Sequence, residues 1–75
     1  MPRYFFEVET EEALYQDQHG SVYPTDEAAL RSGQRLATEL MDEGAQFAGS
    51  IMKVLNEHRS QIGEFTIRPS DEKLQ

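Results

Sequence analysis

Ala29, Leu30, Gly33, Leu36, Ala37, Leu40 and Met41 recur at spacings of three and four. That period marks one helix with a single apolar face. A lone amphipathic helix cannot bury its own stripe, so the remaining apolar residues must supply the opposing layer. They lie in short extended or alternating segments on both sides of the helix. The pattern predicts an α+β fold: a four-stranded antiparallel sheet covered on one face by a single helix, in the order β-β-α-β-β.

Local signals set the boundaries. Thr25 is a helix N-cap, and Asp26 and Glu27 place negative charge in the first turn, where the helix dipole favours it. Glu27 with Arg31, and Arg35 with Glu39, stand four residues apart and can pair along the helix. Gly33 sits inside the apolar stripe, where it costs about 1 kcal/mol relative to Ala. Its position predicts a close approach of helix to sheet. Gly44 is placed to end the helix in a left-handed conformation.

Before the helix, Pro2 to Thr10 alternates: Tyr4, Phe6 and Val8 share one face, and Phe5, Glu7 and Glu9 the other. That reads as a half-buried strand whose second face looks towards solvent or a partner. Ala13 to Gln16 reads as a short second strand. Asp17-Gln18-His19-Gly20 reads as a turn, with Asp17 capping the backbone and Gly20 supplying positive φ. Ser21 to Tyr23 is extended and is expected to pair back across that turn, and Pro24 ends it. After the helix, a loop over residues 45–49 tucks Phe47 under the helix end. A third strand over Ile51 to Asn56 and a fourth over Ile62 to Arg68 follow. Ile62 is out of phase with Phe65 and Ile67, which predicts a bulge near Gly63. Pro69 stops the last strand. Residues 1–69 thus form one domain, and 70–75 a disordered polar tail.

Composition narrows the functional classes. Leu, Ile, Val and Phe make up about a fifth of the chain, at the border where chains bury enough apolar surface to fold. So small a core predicts marginal stability and favours self-association. Cysteine is absent, which excludes disulfides and thiolate–metal sites. No apolar run reaches the roughly 20 residues that a membrane span needs. A cytoplasmic setting is the expectation. The net charge is −7 and the pI about 4.6. Residues 1–30 hold seven acids against the single base Arg3, a net of −6. A phosphate backbone would be repelled, so direct nucleic-acid binding is not expected.

The opening Met1-Pro2-Arg3-Tyr4-Phe5-Phe6, the Asp17-x-x-Gly20 turn, the Pro24 lead into Ala28-Ala29 and the Val54-x-Asn56-Glu57 hairpin form a distinctive set. With them the chain resembles a family of very short bacterial proteins known only as a domain of unknown function. The resemblance covers about residues 2–68. It departs at Arg59, where the family usually has Gly, and at the polar turn that contains His19. The resemblance implies the architecture and a bacterial cytoplasmic setting, and no activity, cofactor or site residue.

Several residues could carry chemistry. Pro2 would expose a secondary amine after loss of Met1, the general base of small tautomerases. A hairpin before the helix gives the wrong topology for those enzymes. His19 with Asp17, or His58 with Glu57, could supply two metal ligands each, short of the three or four that a site needs. Glu7 and Glu9 are neighbours on one strand face, but a solvated face offers no burial to separate their pKa values. No Gly-rich phosphate loop, Ser-His-Asp spacing or Cys nucleophile is present. Phe5, ringed by Glu7 and Glu9, is the candidate interaction surface. The sequence thus predicts a non-catalytic interaction or accessory protein, without cofactor or metal, that binds another protein or itself. The alternatives are an acidic regulator that occupies a basic surface, by an antitoxin-like logic, and a tautomerase-type enzyme using Pro2.

Overall fold

A computed structural model describes residues 1–43 and 47–68. Its elements are β1 (Arg3–Glu9), β2 (Leu14–Tyr15), β3 (Ser21–Val22), α1 (Asp26–Glu43), β4 (Ile51–Leu55) and β5 (Gln61–Thr66). The sheet is antiparallel in the order β2–β1–β4–β5, with β3 also on β1. The α+β architecture with one helix over the sheet is as the sequence predicts. The expected helix stop at Gly44, the strand stop at Pro69 and the tail over 70–75 lie outside the described residues.

One pairing differs from expectation. Ser21 and Val22 do not pair back onto Leu14 and Tyr15. Both short strands pair with β1: Tyr15 opposite Val8 and Leu14 opposite Glu9, then Val22 opposite Arg3 and Ser21 opposite Tyr4. Together they form one edge strand, interrupted by residues 16–20. The reason is backbone satisfaction along β1. In the gap the Asp17 carboxylate accepts the Phe6 N–H at 3.2 Å, and also the N–H groups of His19 and Gly20. Gly20 has φ at 71°, and a Cβ there would lie 2.6 Å from the Tyr4 carbonyl oxygen.

Thr25 caps α1 by accepting the Ala28 N–H on its hydroxyl at 3.1 Å. Tyr4 donates its phenol to Asp26 at 2.5 Å, which ties β1 to the helix start. The predicted stripe faces the sheet: Ala29 and Ala37 are buried, and Leu30, Leu36, Leu40 and Met41 are half-buried. Glu27 and Arg31 approach to 4.0 Å, whereas Arg35 and Glu39 do not reach ion-pair distance. A Cβ on Gly33 would lie 2.9 Å from Val54 Cγ2 and 3.2 Å from Phe6 Cε1, so the close approach is real.

The bulge also appears. Val54 pairs with Gly63 but Leu55 pairs with Gln61, leaving Ile62 as the extra residue. That brings Ile62 and Phe65, three apart, to the same helix-facing core. The core runs in two groups under the helix. Tyr4, Ala29 and Val54 centre one, and Val8, Ala37, Met52 and Ile67 the other. Phe47 packs against the second, as expected.

Candidate functional site

The second face of β1 is not the open acidic platform that alternation suggests. Phe5 and Glu7 are each only 8% exposed; Glu9 is exposed. Phe5 lies opposite Leu55, Glu7 opposite Lys53 and Glu9 opposite Ile51, with Glu64 and Thr66 one strand further on, opposite Lys53 and Ile51. The correction comes from Arg59. Its guanidinium stacks 4.0 Å from the Phe5 ring centre and comes 3.7 Å from Glu7 Oε2. Arg59 reaches there from a turn built by Asn56, whose side-chain oxygen accepts the N–H groups of His58 and Ser60. Its φ is 63°. Lys53 donates to Glu9 at 2.8 Å. That hydrogen bond, with the Glu9 charge, holds the Lys53 pKa above its ordinary value. The acids of this face are thus matched within the fold, and only Arg59 in place of the expected Gly hinted at it.

A cleft of about 750 Å³ opens at the end of the sheet where β1 turns into β2. The turn is organised by Thr10. Its hydroxyl accepts the N–H groups of Glu12 and Ala13 and donates to the Ala13 carbonyl. Glu11 and Glu12 sit exposed on this turn and line the cleft together with Glu9. Across from them, the Tyr15 and Phe47 rings meet edge to face at 6.2 Å. Ser50 lines the same cleft and is only 6% exposed. Sequence reasoning missed this site because its two parts are far apart in the chain. A smaller cleft of about 300 Å³ lies between α1 and β1, lined by Phe6, Tyr23, Arg35 and Glu39 among others.

The other candidates do not converge. Pro2 accepts the Tyr23 N–H on its carbonyl at 3.2 Å and lines neither cleft. His19 lies in the loop between β2 and β3, where its carbonyl accepts from Arg3 at 2.8 Å. His58 lies in the β4–β5 turn, 3.8 Å from Glu57. Among the described residues, no three His, Cys, Asp or Glu side chains gather to hold a metal ion. The hydrogen bond to Asp26, then burial, pushes the Tyr4 pKa up to about 12.

The exposed apolar residues are not scattered. Among the described residues the exposed large ones are Met1, Leu14, Tyr15 and Val22, at 81%, 49%, 56% and 44%. Three lie on the interrupted edge strand, and Met1 precedes the end of β1 that β3 covers. No described helix is long and apolar enough to cross a membrane. The family model of a domain of unknown function, DUF6894, matches residues 3–68. No curated protein matches the chain, and no solved structure does.

Proposed function

This chain belongs to the DUF6894 family, a domain of unknown function, and from that premise we propose that it is a small non-catalytic interaction protein that contacts another polypeptide along the β2–β3 edge. The carrying observation is that Leu14 and Tyr15 at one end of that edge, and Val22 at the other, are three of the four exposed large apolar residues among those described. Edge strands offer unpaired backbone groups to an incoming strand, and natural sheets usually guard them with charge. The opposite edge, β5, follows that habit: its exposed residues are Gln61, Glu64 and Thr66. The β2–β3 edge carries apolar side chains instead. The absence of cysteine suits a reducing compartment such as the cytoplasm.

The test is a Leu14→Lys/Val22→Lys double variant, compared with the native chain by affinity purification and sedimentation. Both positions are about half exposed, so melting should change little. The native chain should retain a partner, or a second copy of itself, that the variant loses. Identical capture and an identical monomer would overturn the reading. The acidic-regulator alternative has less support. Of the acids in residues 1–30, Glu7 pairs with Arg59, Glu9 with Lys53 and Glu27 with Arg31. The tautomerase alternative would need Pro2 beside a cleft.

A further inference from the structure

We propose that the β2–β3 edge pairs with the same edge of a second copy of this chain, related by a two-fold axis, with Leu14 of each copy opposite Val22 of the other. This rests on the reading of that edge as a contact surface and names its occupant. Three observations favour a second copy. The first is register. From Leu14, opposite Glu9, to Val22, opposite Arg3, the edge advances eight residues while β1 covers six. Residues 16–20 take up the excess of two. An even excess keeps side-chain alternation in phase across the gap. Leu14 and Val22 therefore share one face of the sheet, the face that carries Phe5 and Glu7. They also lie symmetrically about Phe6, each registered three β1 residues away from it. A two-fold axis opposite Phe6 exchanges the two positions, which is the self-complementarity that such an interface needs.

The second observation is the direction of the backbone. The even-numbered residues of β1 and its flanks turn their groups to this edge: Pro2 accepts from Tyr23, Phe6 donates to Asp17, and Thr10 donates to Ala13. Tyr15 and Ser21, opposite Val8 and Tyr4, therefore spend their backbone groups on β1. Alternation turns those of Leu14 and Val22 outward. Both members of the proposed pair thus present an N–H and a carbonyl, and the two symmetric pairs exchange about four backbone hydrogen bonds. With an odd excess in the gap, one of the two would face outward and the other inward, and the symmetric pairing would fail.

The third is side-chain chemistry. Leu14 and Val22 are both about half exposed, and set opposite each other they cover apolar surface with apolar surface. The charges at the two ends of the edge differ in sign. Exposed Glu11 and Glu12 stand just before Leu14, and exposed Arg3 lies beside Val22. Antiparallel pairing brings the acidic end of each copy towards the Arg3 end of the other, an arrangement that fixes orientation. At the axis itself the Asp17 carboxylate already satisfies the Phe6 N–H, so the gap leaves that donor of β1 paired.

Within one chain, Leu14 and Val22 are held apart by six residues of β1, about 20 Å, and they meet only across the interface. Sedimentation equilibrium on three chains uses that separation. The native chain should dimerise. Leu14→Lys/Val22→Lys sets like charges opposite each other and should weaken the dimer about tenfold or more. Leu14→Lys/Val22→Glu sets opposite charges there and should return it to within about threefold of native. The chain has no cysteine, so oxidising an equal mixture of Leu14→Cys and Val22→Cys chains should join one to the other, and neither chain alone should join to itself. A monomeric native chain, equal weakening by both double variants, or self-joining of Leu14→Cys would overturn the pairing. A monomeric native chain that captures a different protein, lost in Leu14→Lys/Val22→Lys, refutes the second copy and leaves the edge as a contact surface. A monomer that captures nothing through this edge refutes both.

Discussion

Arg59 holds a left-handed backbone conformation, φ 63°, that costs a non-glycine residue roughly 1–2 kcal/mol. Its side chain accounts for the exception. It covers Phe5 at 4.0 Å and faces Glu7, whose side chain is only 11% exposed. A cation over an aromatic ring contributes about 0.5–1 kcal/mol at an exposed site. Losing the partner of a mostly buried carboxylate costs more than losing an exposed pair. Arg59→Ala removes both contacts and keeps the strain, while Arg59→Gly removes both and relieves it. Urea unfolding should therefore place the Gly variant about 1 kcal/mol above the Ala variant, with both below the native chain. An Ala variant as stable as the native chain would mean that the guanidinium contributes nothing. The alternation of β1 was legible because each residue reports its own face. The covering of Phe5 was not, because the lid arrives from a turn some fifty residues later in the chain.

At the scale of elements, the helix was readable because its period persists over several turns, and the bulge because Ile62 breaks phase with Phe65. β2 and β3 were readable as extended segments but not in their pairing. Strands of two residues each carry no period, and their partner is decided by the empty side of β1. Gly33 tests the helix–sheet contact. Adding a methyl group gains about 1 kcal/mol of helix propensity but drives it onto Val54, which is fully buried, and onto the Phe6 ring. Overpacking of this kind costs about 1–3 kcal/mol. Gly33→Ala should lower stability in urea by up to about 2 kcal/mol; a gain would deny the close contact of the helix with Val54 and Phe6. At Gly63 the obstacle is the flexible end of Leu30, which is half-buried, so the same substitution there is expected to be milder.

The described chain as a whole is a thin slab, 37 × 29 × 17 Å. Two layers leave few residues deep, so single ties between layers matter. Tyr4 is one: the residue is 1% exposed and its phenol donates to Asp26 at the helix start. Its pKa rises from 10.0 to about 12 in the fold, so folding favours the protonated form. That contribution is complete below pH 10 and disappears as pH climbs through about 12. Lys53, raised by Glu9, acts in the same direction. Melting curves should therefore fall more steeply between pH 10 and 12 for the native chain than for Tyr4→Phe; parallel curves would deny the tie. The cleft belongs to this scale too. Glu11, Glu12 and Tyr15 come from one part of the chain, Phe47 and Ser50 from another, and only closure of the sheet brings them together. Nothing in the local sequence of Ser50 distinguishes it from a loop serine. The broken edge strand has a last consequence. Leu14–Tyr15 and Ser21–Val22 are each registered on β1 by their own pairs, like two clasps on one seam. Residues inserted between Gln18 and His19 would leave both clasps in register on β1 but part the Asp17 carboxylate from the His19 and Gly20 N–H groups, so growth there loosens the gap before it disturbs the sheet.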